Sequence, residues 1–285
     1  MVNYLPLNSS KIGTIDSCFG HNTMSSLKPI YWAKYLWLFV ISLTALLAQS
    51  LLASEAITVK SGVYQTAVIE LYTSEGCSSC PPADRWLNQL TKIPTKELNK
   101  LILAFHVDYW DYIGWKDIFA NPAHTNRQRH LARLNQQNSV YTPEFFVNGL
   151  EARGTQSVIN KIQSTNKILS TIDLALTFQQ QDNKILLTLS SQFDPEFLKF
   201  VRFVVYENNL SSQVEKGENA GKNLHHQQVV RYLSPKKTLK SKISHQIKIK
   251  PEWNVSQLGV GAFVQSKSGT HFQAVSSLLT PQTQK

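Results

Sequence analysis

Residues 67–86 read AVIELYTSEGCSSCPPADRW, and the rest of the chain is best read outward from them. The stretch opens apolar and β-prone over residues 67–72. A turn-like run, Thr73-Ser74-Glu75-Gly76, comes next, then Cys77-Ser78-Ser79-Cys80, and Pro81-Pro82-Ala83-Asp84 leads into a helical pattern. The order is strand, turn, CxxC, helix. A cysteine at a helix N-terminus meets unpaired backbone N–H groups and the positive end of the helix dipole. Both favour the thiolate, the reactive form. The second cysteine sits about one turn on, close enough for a small disulfide. Cys77 is read as the attacking thiol and Cys80 as the resolving one.

Downstream of this stretch the pattern alternates strand and helix. Residues 101–107 (LILAFHV) form a nearly continuous apolar run, as buried parallel strands do. Residues 121–138, with Pro122 near their start, read as a helix, and residues 155–167 as another. Between them, residues 145–147 read as a short strand closed by Asn148-Gly149, a hairpin turn signal. After Leu169 the period changes to successive short strands with turns at Gln181-Asp182-Asn183 and Ser268-Gly269. The expected organisation is a leader over residues 1–53, an α/β domain over 56–168 and a β-sandwich-like all-β domain over 169–280.

The leader is read from residues 36–48 (LWLFVISLTALLA), preceded by Lys28 and Lys34 and followed by small residues at Ala48, Ser50 and Ala53. This has the shape of a signal-peptide core. Met24 is a candidate true start. Extended through residue 53, the same run makes an uncleaved anchor and a membrane contact. A periplasmic or secreted location follows from either reading. Removing the leader takes Cys18 with it and leaves Cys77 and Cys80, too few for a disulfide scaffold and the right number for one redox pair. The formal net charge of +10 is spread out rather than arranged as a stripe with stacking aromatics, which argues against nucleic acid as a partner.

Other residues gather around the cysteines in expectation. Thr142-Pro143 stands at the entrance of the 145–147 strand, where a proline removes no ladder bond. In thioredoxin-like domains a cis proline occupies this topological place beside the CxxC, so the bond is expected to be cis. His106 and Asp108, two apart, start on one face if their strand persists, and either would serve as a proton donor or acceptor or as a ligand. Glu70, inside the first strand, is a candidate proton relay to the resolving cysteine. Glu75 is expected at the surface. Trp110 and Trp115, with Thr142, are expected to wall a substrate surface. His225-His226, before a strand, are read as structural or surface residues, since adjacent side chains in an extended segment point opposite ways and at most one faces the sandwich interior or the domain interface. Residues 217–223 are read as a loop that folds back toward the α/β domain, and replacing both histidines is expected to spare thiol chemistry.

Three segments, VIELYTSEGCSSCPPAD, FHVDYWDYIGWKDIFANPAHTNRQR and SVYTPEFFVNG, resemble a family of secreted bacterial proteins known as domain of unknown function 1223, in the thioredoxin-like superfamily. Residues 217–231 resemble its C-terminal region. The resemblance implies a thioredoxin-like domain followed by a β-rich domain. It matches Cys77, Cys80, His106, Asp108, Trp110, Trp115 and Pro143, and it brings no reaction with it. Tyr72 departs from the usual Phe, and Glu144-Phe145 from the common Gln-Met.

The reading that follows is an exported thiol-disulfide oxidoreductase without a cofactor, acting on protein or small-molecule thiols and disulfides. Two alternatives stay open. One is soft-metal or Cu(I) binding through Cys77, Cys80 and His106, since thiolates and imidazole suit such ions. The other is a non-catalytic protein-interaction module. A structural zinc site wants four ligands, and there is no second CxxC.

Overall fold

The structure, a computed structural model, describes residues 55–194 and 198–280. The leader, its membrane contact and Cys18 lie outside the described residues. Among the described residues no helix is long and apolar enough to cross a membrane.

After β1 (Ile57–Lys60), strand β2 (Ala67–Thr73) is wholly buried, as its apolar sequence requires. Helix α1 (Cys80–Thr91) follows the turn, with Pro81 and Pro82 in its first turn, where a missing N–H breaks no helical bond. Strand β3 (Lys100–His106) lies parallel to β2, with Thr73 opposite His106. Helix α2 (Pro122–Leu134) is capped by the Asn121 side chain, which accepts from Ala123 N. It stops short of residue 138 because Asn135 Nδ2 turns back to Leu131 O and Gly149 O and Gln136 takes a left-handed φ of 59°. Strand β4 (Glu144–Val147) runs antiparallel to β2 and turns into β5 (Leu150–Glu151), and α3 (Thr155–Thr165) follows.

Side chains alternate across β2. Ile69 and Leu71 pack with α1 and α3 through Ala83, Leu87, Leu90, Val158 and Ile162. Val68 and Tyr72 point the other way and pack with Leu131 of α2. The helices therefore cover both faces of the sheet.

The second half contributes β6 (Ile172–Gln181), β7 (Lys184–Phe193), β8 (Phe200–Glu207), β9 (Leu210–Gln213), β10 (Asn223–His226), β11 (Val229–Leu233), β12 (Lys237–Thr238), β13 (Lys242–Lys248), β14 (Leu258–Gln265) and β15 (His271–Leu278). β1, β6, β7 and β13 form one sheet, and β9 and β10 a hairpin. The remaining strands join the first half. The order is β15-β14-β8-β11-β3-β2-β4-β5, with β12 on β8. Alternation on β6 and β7 buries Leu174, Leu176, Phe178, Leu187 and Leu189 against Val201, Phe203, Val205, Val260 and Val264 of the large sheet. The molecule is thus mixed α/β and mostly strand. The expected boundary at 168–169 falls between α3 and β6, yet the nine-stranded sheet and the strand β1 both run across it.

Candidate active site

The turn after β2 is built from local hydrogen bonds. Cys77 N donates to Ser74 O at 3.2 Å, and Cys80 N to Cys77 O at 3.2 Å. Cys77 and Cys80 are joined in a disulfide, with Cα atoms 5.4 Å apart. Both residues are fully buried. Ser79, the residue before α1, makes no side-chain cap bond. Pro81 and Pro82 carry no N–H and Cys80 N is spent on Cys77 O, so the positive end of the helix dipole rather than free N–H groups acts on the sulfurs. The Ser79 hydroxyl donates to Thr142 O at 3.5 Å. The Thr142–Pro143 bond is cis. Trp110 Nε1 donates to Thr142 Oγ1 at 2.7 Å. Gly76 lets this wall close in, since a Cβ there would come within 3.1 Å of Trp110 Cβ and 3.2 Å of Ile113 Cδ1. A groove of about 680 Å³ opens beside Ser79 and Pro143, with Tyr141, Phe145 and Arg153 among its walls.

Beneath the disulfide lies a buried acid–base cluster drawn from five segments. Asp84 follows Cys80 by four positions and so shares its face of α1. Its Oδ2 accepts from Thr73 Oγ1 at 3.2 Å and lies 3.9 Å from His226 Nδ1. Burial raises the Asp84 carboxyl above its ordinary pKa, against the pull of His226 and His106. His106 Nδ1 donates to Asp117 Oδ2 at 2.6 Å. Burial disfavours the imidazolium, but Asp117, helped by Asp84 and Glu75, raises the His106 pKa above 6.5. Asp117 is held below the usual range because the His106 charge outweighs its own burial. His226 Nε2 donates to Glu75 Oε1 at 3.2 Å, and its ring meets that of His106 edge-on, 4.8 Å between centroids. A carboxylate only accepts, so these bonds fix which nitrogen of each ring carries hydrogen. The other two nitrogens, His106 Nε2 and His226 Nδ1, are buried without hydrogen-bond partners.

A loop over residues 214–222, between β9 and β10, straps this site. Asn219 Nδ2 donates to Glu75 O at 2.8 Å and to Cys77 O at 2.9 Å. Ser78 N donates to Glu218 Oε2 at 3.0 Å. Gly217 has φ 77°, and a Cβ there would stand 3.0 Å from Ile113 Cδ1, so the strap crosses at a glycine.

The residues singled out in sequence now have places. Cys77, Cys80, Trp110, Thr142 and Pro143 gather around Ser79 and the cis peptide, while His106 lies in the neighbouring acid–base cluster with Asp117 and His226. Trp115 joins that cluster through Nε1, which donates to Glu75 Oε2 at 2.8 Å. Glu75 is not at the surface. It is fully buried, because Trp115, Ser212 and His226 close over its carboxylate. Glu70 projects from the opposite face of β2 to α1. Its carboxylate is taken by Arg127 at 2.6 and 2.7 Å and by the Tyr72 hydroxyl at 2.8 Å, which leaves no path to Cys80. Strand β3 ends at His106, so Asp108 does not share its face. Asp108 instead accepts from the Thr125 hydroxyl on α2. For the soft-metal alternative, Cys77 and Cys80 are joined in a disulfide, and among the described residues no group of three or more His, Cys, Asp or Glu side chains is placed to hold a metal ion. Sequence reading did not single out Asp84, Asp117 and Asn219; of the histidine pair, His225 is exposed and His226 is buried against Glu75. The i, i+4 spacing of Cys80 and Asp84 was an available signal.

No curated protein matches the chain. Among solved structures, a crystal structure of a protein from Agrobacterium tumefaciens is similar, with TM-score 0.55 and 22% identity over 79% of this chain and 99% of that one. HBP35 of Porphyromonas gingivalis is similar at TM-score 0.60 and 16% identity, over 79% of each chain. At these identities the likeness is one of fold alone. The family described as Protein of unknown function (DUF1223) matches residues 68–265, well over half of the chain, and the chain belongs to that family.

Proposed function

We propose that this chain is an exported thiol-disulfide oxidoreductase whose α/β half is thioredoxin-like and whose remaining strands form a β-sandwich-like half. The strand order β3-β2-β4-β5, with α1 and α3 on one face and α2 on the other, supports the fold reading. The observation that carries the function is the Cys77–Cys80 disulfide at the head of α1, set over a buried acid–base cluster with two unpartnered ring nitrogens. Export rests on the leader pattern and on the single cysteine pair after it.

In the reductive direction, the Cys77 thiolate attacks a substrate disulfide. A Cys77–substrate disulfide forms, and one substrate thiolate leaves and takes a proton. Cys80 then loses its proton and attacks Cys77 sulfur. The second substrate thiolate departs, and the protein disulfide closes. Two electrons have passed to the substrate. Asp84, backed by His226, receives the Cys80 proton; the reverse sequence oxidises a substrate dithiol. Trp110, Thr142 and Pro143 line the approach beside the groove, and His106 with Asp117 positions the His226 ring.

Insulin reduction and mixed-disulfide trapping test this. Cys77→Ser abolishes exchange. Asp84→Asn slows the resolving step by roughly a hundredfold, the lower range for a lost general base, and lets the mixed disulfide accumulate. A Cys77 thiol pKa near the unperturbed ~8.5, with no exchange on any substrate, would overturn the reading.

A further inference from the structure

A second cavity, of about 640 Å³, lies between α2 and strands β8 and β11. Its lining holds Arg127, Arg202, Arg231, Lys236 and Lys250, with His124 and His130, and no Asp or Glu. Some of this charge is answered from behind. Arg127 is paired with buried Glu70, Arg231 Nε lies 3.3 Å from Glu207 Oε2, and Lys250 faces the exposed Glu252 at 4.0 Å. Arg202 and Lys236 have no carboxylate partner among the described residues. Arg202 Nη1 donates to Ser234 O at 2.6 Å, while its Nε is buried with no partner. His130 Nε2 is likewise shielded and unpartnered. Lys236 lies over the Phe200 ring at 5.7 Å.

The cations also crowd one another. Burial and Arg127 push Arg202 down to about 10, still charged at neutral pH. Lys236 is lowered by burial, Arg202 and Arg127, and His130 by burial and then Lys236 and its arginine neighbours. Mutually repelling donors around a cavity, two of them short of a partner, make a surface that an anion would satisfy.

We propose that this cavity binds a multivalent oxyanion of the phosphate class, held chiefly by Arg202, Lys236 and His130. A guanidinium fork matches two oxygens of one phosphate, and a lysine adds a point charge. The same chemistry is offered by a free phosphate compound or by a phosphate-bearing lipid headgroup.

Calorimetric titration with inorganic pyrophosphate, at constant ionic strength against sodium chloride, tests the proposal on residues 55–285. A parallel arm uses phosphatidylcholine vesicles with and without phosphatidic acid. The expected result is saturable one-to-one binding of pyrophosphate or of the phosphatidic acid vesicles, weakened by about tenfold or more in Arg202→Gln and in Lys236→Gln. The arm that binds identifies the source of the anion. Lys236 is exposed, so its variant folds even if the Arg202 variant does not. Lys96→Gln, on a different surface, leaves binding unchanged. Binding that does not saturate, that chloride matches, or that ignores Lys236→Gln overturns the proposal.

Discussion

Arg127 and Glu70 meet in the interior with two hydrogen bonds, and both side chains are almost wholly buried. Two ions taken out of water lose hydration, so the pair is tolerable only while both members are present. Tyr72 adds a third bond to the carboxylate, and the Phe105 and Phe263 rings flank the guanidinium. Burial alone would raise the Glu70 pKa, but Arg127 prevails and holds it below 4.5. A depressed carboxyl pKa contributes stability above the unfolded value, and that contribution is lost as pH falls through the folded value. Glu70→Gln therefore strands Arg127 and costs about 3–5 kcal/mol at neutral pH. Urea midpoints of wild type and variant should converge as the solution is acidified below pH 4.5, as Glu70 itself becomes neutral. A gap that stayed constant with pH would mean the charge is immaterial. If Glu70 instead relayed protons to the cysteines, the variant would lose exchange activity while keeping its stability.

The strap over residues 214–222 is bonded to the backbone on both sides of Cys77. With Cys77 fully buried, an incoming disulfide reaches it either past a displaced strap or from the groove side. Asn219 ties the strap down through two bonds, worth about 1 kcal/mol each. Asn219→Ala should favour the open form by up to roughly thirtyfold and speed reduction of the Cys77–Cys80 disulfide by dithiothreitol by a similar factor. An unchanged rate would show that substrates enter from the groove side alone. The strap also shows where sequence reading stops. The strand-turn-CxxC-helix run was legible because period and proline placement are local signals. Its partners were not. Asn219 lies 142 residues from Cys77, and nothing near either residue marks the other. The fold-back of residues 217–223 was visible only as a loop. His226 was judged structural because adjacent histidines in extended backbone point opposite ways. That alternation is real, with His225 exposed and His226 buried, but the buried one faces Glu75 and Asp84. Glu75 looked exposed because turns usually are, and the residues that cover it, Trp115, Ser212 and His226, lie 40 or more positions away.

At the scale of the molecule, the two halves are joined by more than a linker. β11 lies parallel to β3 with Val229 opposite Ala104, and Ala104 N donates to Gln228 O at 2.8 Å. One core cluster holds Val68, Leu103, Phe105 and Phe146 of the first half with Val204, Val230 and Phe263 of the second. Gln273 of β15 accepts from Thr66 N at 2.9 Å and donates to Gly62 O at 3.1 Å. β1 leaves the first half altogether and pairs with β6. Cutting at residue 168 would open the β3 edge and expose one face of the shared core. An unpaired, apolar strand edge is an aggregation template. Residues 55–285 should therefore unfold in urea as a single transition, with intrinsic fluorescence and far-ultraviolet circular dichroism coinciding. A fragment of residues 55–168 should give no cooperative transition of its own and should aggregate at micromolar concentration. If instead that fragment folds and keeps its exchange activity, the α/β half is an independent domain. The acid–base set would then work without His226, and Asp84 alone would have to take the Cys80 proton.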